Sequence, residues 1–242
     1  MSDNHMRDIL AKVDVLILCG GIGSRLSSVN PDRPKGLAPV GGKPFLDILV
    51  EDLVQQGFQR IIFCVGHLKE QVIDRYKTRK DAKYFFSQED IPLGTGGAVQ
   101  NALPLIHSNP VLVMNGDSLC PVDYAKFYQF HLDKSAAASL VLAAQHGRCD
   151  GGAVSLDDAQ QIQSFAEKSI ETTNERFINA GIYLLQVDAI DLRRPAPTYS
   201  LEYDVFPALF RSRPCFGFLV SSELVDIGTP ERYLKANREY RK

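Results

Sequence analysis

An apolar run, Val13-Asp14-Val15-Leu16-Ile17-Leu18, empties directly into a loop that carries Gly20, Gly21, Gly23, Arg25, Arg33 and Lys35. No other stretch constrains the chain as much. The run reads as a strand buried on both faces, which places it inside a sheet covered by helices. The glycines free the backbone to approach a ligand closely, and such a loop presents its N–H groups to an anion. Two arginines and a lysine exceed what one phosphate needs and suit a triphosphate. Two known phosphate motifs fail on residue type. A dinucleotide fingerprint requires glycine where Leu26 stands, and a P-loop built on Gly42-Lys43 requires glycine at Leu37 and a hydroxyl at Pro44.

The rest of the chain keeps a strand–helix rhythm as far as residue 144. A helix is predicted over Phe45 to Gln56, with Phe45, Ile48, Leu49 and Leu53 on one face and Gly57 as its stop. Lys43, at its start, reads as a solvated lysine or a ligand contact. Strands are predicted at Arg60 to Val65 and Lys83 to Ser87, with a helix over Leu68 to Tyr76 between them. A second glycine-rich stretch, Glu89-Asp90-Ile91-Pro92-Leu93-Gly94-Thr95-Gly96-Gly97, opens the next helix. In an open α/β sheet it should neighbour the first loop, so that backbone groups at Gly94, Gly96 and Gly97 meet a planar base and Glu89 or Gln88 reads its edge. A tight helix start is the other reading.

The strand Pro110 to Asn115 ends in Gly116-Asp117. A bare carboxylate beside phosphates repels them, so Asp117 suits a Mg²⁺ ligand better than a turn residue. Helix is expected from Pro121 to Lys134 and strand from Ala136 to Ala144. From Gly151-Gly152 onward the alternation stops, and short strands at 152–155, 162–166 and 177–185 suggest a small antiparallel addition. Glu167 can accept from ligand hydroxyls and Lys168 can face a phosphate, although alone they are a common surface pair. Glu202 precedes a helix expected over Asp204 to Phe210. Phe216 to Val220 reads as a strand, Asp226 is a second candidate metal ligand, and Pro230 opens a last helix to Tyr240.

With 242 residues, 45% of them hydrophobic, the chain suffices for one domain: a nucleotide-binding part over about 13–145 and a second part over about 146–225. A net charge of −2 gives no sign of a nucleic-acid or anionic-membrane surface. The five cysteines lack C-x-x-C spacing, which disfavours a disulfide framework or zinc site. No apolar run approaches the ~18 residues of a membrane span, and a cytoplasmic protein is expected.

Taken in order, GGIGSRL, Pro34-Lys35, the Glu89–Ala98 stretch, Asn115-Gly116-Asp117, Glu167-Lys168, Asn179-Ala180-Gly181 and Asp226-Ile227-Gly228-Thr229-Pro230 resemble the sugar-1-phosphate nucleotidyltransferases over about residues 13 to 241. The branch most resembled is that of the D-glycero-α-D-manno-heptose 1-phosphate guanylyltransferases. The resemblance implies a Rossmann-like three-layer α/β/α sandwich with a mostly parallel central sheet. It implies nucleotide binding by Leu18, Gly20, Gly21, Gly23, Arg25, Lys35, Glu89, Gly94 and Thr95, and catalysis by Arg25, Lys35 and Asp117. Asp117 and Asp226 would share Mg²⁺, while Glu167, Lys168, Asn179 and Gly181 would hold the sugar phosphate. Gly36 and Ser169 depart from the pattern, which usually has proline at both. The partners implied are a nucleoside triphosphate, GTP first, and a sugar 1-phosphate; the oligomeric state stays open. A mannose-1-phosphate guanylyltransferase and a uridylyl- or cytidylyltransferase remain alternatives. A non-catalytic nucleotide-sugar sensor fits less well, because both aspartates are present.

Overall fold

Strands that are apolar on both faces can be buried only between two layers of helices, and the chain folds accordingly. The computed structural model describes residues 3–26, 31–144, 152–167, 177–189 and 197–240. Helix α1 (Asp3–Leu10) precedes strand β1 (Asp14–Leu18), and a ribbon of β2 (Pro39–Val40) and β3 (Lys43–Pro44) leads into α2 (Phe45–Gln56). Next come β4 (Arg60–Val65), α3 (Lys69–Tyr76), β5 (Lys83–Gln88), α4 (Gly94–Ala102) and β6 (Val111–Asn115). Short β7 (Ser118–Leu119), α5 (Tyr124–Asp133) and β8 (Ala138–Ala144) follow. The remainder holds β9 (Gly152–Leu156), β10 (Ile162–Glu167), β11 (Phe177–Leu185), α6 (Phe206–Ser212), β12 (Cys215–Val220), β13 (Val225–Asp226) and α7 (Pro230–Glu239).

The main sheet runs β10-β9-β11-β6-β1-β4-β5, with β8 also paired to β11 and β12 paired to β8. Strands β5, β4, β1 and β6 are mutually parallel, as are β8 and β12, whereas β11 runs antiparallel to both β6 and β8. The period of two sorts the side chains between two cores. Val15, Ile17, Ile61, Phe63, Leu112 and Met114 enter one, together with α2. Leu16, Ile62, Cys64, Val111 and Val113 enter the other, against α4 and α6.

Most element boundaries follow the sequence reading, and the exceptions have local causes. Helix α5 begins at Tyr124 instead of Pro121 because the Asp123 carboxylate caps it, accepting from the Lys126 amide at 3.0 Å. Residues Leu201–Val205 form a π turn ahead of α6, capped by the Ser200 hydroxyl, where an α-helix from Asp204 was expected. Strand β11, expected in the antiparallel addition, lies inside the main sheet; the β9–β10 hairpin attaches at its first residues. The amino-terminal helix α1 was not foreseen.

One buried charge fastens the parallel strands near their start. Asp14 is fully buried; Arg60 Nε donates to its Oδ1 at 2.6 Å, and the Ser108 amide donates to its Oδ2 at 2.8 Å. The Arg60 guanidinium also covers the Phe85 ring at 4.4 Å. Asp14→Ala should therefore strand a guanidinium and a backbone donor at once and lower stability by roughly 3–5 kcal/mol. Urea unfolding followed by circular dichroism checks this; a loss under ~1 kcal/mol would mean that water replaces the carboxylate.

Candidate active site

The carboxyl ends of β1, β4, β5 and β6 point to one edge of the sheet, where the loops that follow β1, β5 and β6 surround a cleft of about 420 Å³. That volume suits a small-molecule ligand. Its described lining includes Leu18, Gly20, Gly21, Gly23, Arg25, Lys35, Glu89, Gly94, Thr95 and Asp117. These ten sequence-assigned residues are thus gathered around one space, whereas Arg33, Gln88, Gly96 and Gly97 are not among its lining.

The glycine loop is held down by its neighbours. The Cys19 amide donates to the Cys64 carbonyl at 3.0 Å, and the His67 amide donates to the Gly20 carbonyl at 3.0 Å. A Cβ on Gly20 would stand 3.0 Å from Glu89 Oε1 and 3.1 Å from the Gly66 amide nitrogen, so only glycine lets the two loops close on each other. Glu89 itself is buried, and its Oε2 accepts from the Leu93 amide at 3.3 Å. Burial raises its pKa above the ordinary glutamate value. Burial likewise raises the pKa of the Cys19 thiol, which disfavours its thiolate.

Lys35 enters from a 3-10 turn, Lys35–Leu37, and forms an ion pair with Asp117 beyond the end of β6. Asp117 Oδ1 accepts from the Ser118 hydroxyl at 3.1 Å. The departure at Gly36 has a packing counterpart: a Cβ there would meet Leu46 Cγ at 2.7 Å, so leucine fills the volume that a proline ring would need. Arg25 is exposed at the rim. Arg33 does not line the cleft, and Lys43 pairs with Glu51 on the surface at 2.6 Å, which fits the solvated reading.

Asp226 reaches the same edge by another route. Its strand β13 pairs antiparallel with β7, opposite Ser118, and the Ile227 amide donates to the Asp117 carbonyl at 3.0 Å. Its nearly buried carboxylate accepts from the Gly228 amide at 2.9 Å and from Arg232 Nη1 at 3.2 and 3.3 Å. Gly228 lines the main cleft, while Asp226 and Arg232 line an adjoining hollow of about 220 Å³. Among the described residues no group of three or more His, Cys, Asp or Glu is placed to hold a metal. Two carboxylates fit Mg²⁺ nonetheless, since that ion commonly takes one or two and fills its other positions with phosphate oxygens and water.

The second glycine loop differs from expectation. The amides of Gly96 and Gly97 both donate to the Tyr199 carbonyl, at 3.0 and 3.3 Å, and so are not offered to a base. The Thr95 hydroxyl donates to Glu202 Oε2 at 2.6 Å and accepts from the Leu201 amide at 2.9 Å. Glu202 is a buried hub: Ser200 Oγ donates to it at 2.7 Å and Tyr183 Oη at 3.1 Å, while Asn179 Nδ2 donates to Tyr183 Oη at 2.7 Å. Asn179 is therefore tied to the nucleotide loop through Tyr183 and Glu202, and it does not line the cleft. Gly181 has φ +72° and lies under Asn115, which does line it. Lys168 lies outside the described residues, as does the side chain of Glu167. The sequence reading missed Glu202 as a hub; an acid inside the apolar run Leu201 to Phe206 was the available signal.

This geometry can seat a polyanion against Lys35 and Arg25, with a flat group against Gly20, Glu89 and Gly94. Residues 14–242 match the nucleotidyl transferase family. The chain belongs to that family. The transferase is 32% identical to a D-glycero-α-D-manno-heptose 1-phosphate guanylyltransferase of Aneurinibacillus thermoaerophilus, over 94% of this chain and 98% of that one. It is 30% identical to a mannose-1-phosphate guanylyltransferase of Mycobacterium tuberculosis, of which it spans 64%. HddC from Yersinia pseudotuberculosis, solved in complex with GMP-PN, superposes with a TM-score of 0.81 at 34% identity, covering 94% of this chain and 99% of that one.

Gly94 supplies a direct test of the loop. At φ +70°, a Cβ would lie 2.4 Å from the Tyr199 carbonyl oxygen, so Gly94→Ala must push residues 199–202 away and break the links to Thr95. Triphosphate affinity measured by calorimetry should fall by about tenfold or more, the scale of losing one good polar anchor. Unchanged affinity would show that this loop does not shape the nucleotide pocket.

Proposed function

We propose that this transferase moves a guanylyl group from GTP to a sugar 1-phosphate, releasing pyrophosphate, with D-glycero-α-D-manno-heptose 1-phosphate as the favoured acceptor. The observation that carries this reading is the convergence of Gly20, Glu89, Lys35 and Asp117 on one cleft. The heptose relatives, matched over nearly their whole length, support the acceptor. Among the described residues no helix is long and apolar enough to cross a membrane, and we place the reaction in the cytoplasm.

The chemistry asks for placement and charge more than for a base. An oxygen of the sugar 1-phosphate, already an anion near neutral pH, attacks the α-phosphorus of GTP in line, and pyrophosphate leaves on the opposite side. The obstacle is repulsion between anions. Lys35 and Arg25 offset it by holding the phosphates, and the glycine loop presents backbone amides to them. Asp117 and Asp226 would hold Mg²⁺, whose charge offsets that of the phosphate oxygens when it is bound. Lys168, Glu167, Asn179 and Gly181 are assigned to the sugar phosphate, Asn179 acting from the hydrogen-bonded chain that ends at Thr95.

Base choice rests on Glu89. An ionised carboxylate only accepts, and guanine presents N1–H and its 2-amino group side by side, whereas uracil and thymine present one donor between acceptors. Pyrophosphate release across four triphosphates and several sugar 1-phosphates tests the whole reading: GTP with the heptose phosphate should be used best, and a preference for UTP or CTP would end it. Asp117→Asn should lower kcat by at least ~10²-fold, the scale of losing one key electrostatic group; activity within threefold of wild type would remove Asp117 from the mechanism.

Glu89→Gln should narrow the kcat/KM lead of GTP over UTP, since an amide both donates and accepts. The same variant should melt higher than wild type at pH 7. The folded-state pKa of Glu89 is raised, so stability present below the unfolded value is lost as pH rises through the folded value, and glutamine escapes that loss. The melting difference should close in acid; a variant less stable at neutral pH would mean that the ionised carboxylate is held favourably.

A further inference from the structure

Four charged groups meet at Gly228. The point where a Cβ on Gly228 would stand lies 2.9 Å from Asp226 Oδ1, 3.6 Å from Lys35 Nζ and 3.8 Å from Arg232 Nη1. Asp117 joins them through its ion pair with Lys35. Each of the two carboxylates therefore has a cation of its own within the chain: Lys35 for Asp117 and Arg232 for Asp226. Arg232 spans both oxygens of Asp226 from one turn inside α7. Lys35 already has work on the phosphates, but nothing so far accounts for Arg232.

The geometry points to Arg232 as an internal counter-cation that competes with the divalent metal for Asp226 and so makes metal binding depend on the nucleotide. This rests on the reading of Asp117 and Asp226 as metal ligands. A guanidinium that holds both oxygens of a nearly buried carboxylate neutralises it, and a divalent ion arriving alone must displace that contact for the sake of two carboxylates. A triphosphate changes the balance, because its oxygens complete the ligand set and its charge gives both Lys35 and Arg232 a new anion to face. Arg232 is a positioning residue in this scheme: it acts on the reaction through Asp226 and sets the order in which metal and nucleotide arrive. Gly228 is the residue that leaves space for the exchange, as a side chain there would fill the gap among the three groups.

The probe is Mn²⁺, followed by electron paramagnetic resonance with the full-length protein and no nucleotide. Arg232→Gln should bind free Mn²⁺ on the order of tenfold more tightly than wild type, opposite in sign to the ~10–100-fold loss that follows removal of a partner that merely orients a metal ligand. Arg232→Lys, which keeps a cation beside Asp226, should stay near wild type. Adding Asp226→Asn to Arg232→Gln should abolish the gain. Arg232→Met, with a similar apolar stem and no charge, gives the same comparison should the glutamine variant not fold. No tightening in either uncharged variant, or a gain that survives Asp226→Asn, overturns the inference. The metal reading is tested separately by Asp226→Asn with a non-hydrolysable GTP analogue present. If Mn²⁺ is then held as tightly as by wild type, the ligand assignment fails; if it is held more weakly while Arg232→Gln shows no gain, only the role of Arg232 fails.

Discussion

Repulsion between like charges governs the edge of this sheet. In the proposed reaction a triphosphate and an acceptor phosphate meet beside two carboxylates, and none of these anions approaches another favourably without cations between them. The chain sets Lys35 against Asp117 and Arg232 against Asp226, so each carboxylate already faces a cation. Much of the fold serves to bring those four residues together from remote parts of the sequence. The parallel strands β1 and β6 aim the first loop and Asp117 at one edge, and the two-stranded β7–β13 contact delivers Asp226 beside them.

A second link joins the nucleotide loop to strand β11. The segment from Thr198 to Glu202 caps the amino end of α4 through the Tyr199 carbonyl and fixes Thr95 through Glu202. Glu202 in turn takes the Tyr183 hydroxyl, and through it Asn179 on β11. The nucleotide loop and β11 thus share one buried carboxylate that accepts from three hydroxyls. Such a network is stabilising when fully satisfied and costly when broken, which makes it a rigid coupling between the two sides. The π turn at Leu201–Val205 sits at this junction, as such turns commonly do near functional sites.

How much of this was legible in the sequence depends on the range of the interaction. The run Val13 to Leu18, its loop, and the strand ending at Asp117 were readable because burial on both faces and glycine punctuation are local signals. Gly20 against Glu89 was not, since the need for glycine there comes from a carboxylate far along the chain. The loss of the Gly96 and Gly97 amides to Tyr199 was equally hidden, for the acceptor comes from the last quarter of the sequence. Strand β11 read as part of an addition because alternation shows which residues pair in a sheet but not which neighbour they choose. Nothing local in the sequence marks Arg232 on the last helix, and its partner Asp226 is brought to the cleft edge by the pairing of β13 with β7.

The position of α7 has a consequence for how the protein comes into being. Tyr233 Oη donates to the Pro39 carbonyl at 2.8 Å, and Asn237 Oδ1 accepts from the Gly41 amide at 2.9 Å, so the carboxyl-terminal helix closes on the ribbon that follows the glycine loop. The glycine loop leaves the ribosome well before Asp226, Gly228 and Arg232, the residues that complete its charge balance. Contacts so distant in sequence form late, after the loop-closure entropy between them has been overcome. Between the synthesis of Asp117 and that of Asp226 the growing chain therefore carries a glycine loop with Lys35 and Asp117 but without Asp226, Gly228 or Arg232. A chain at that stage can offer cations to an anion while lacking one of the two carboxylates proposed to hold the metal, so the order of the elements delays completion of the proposed site.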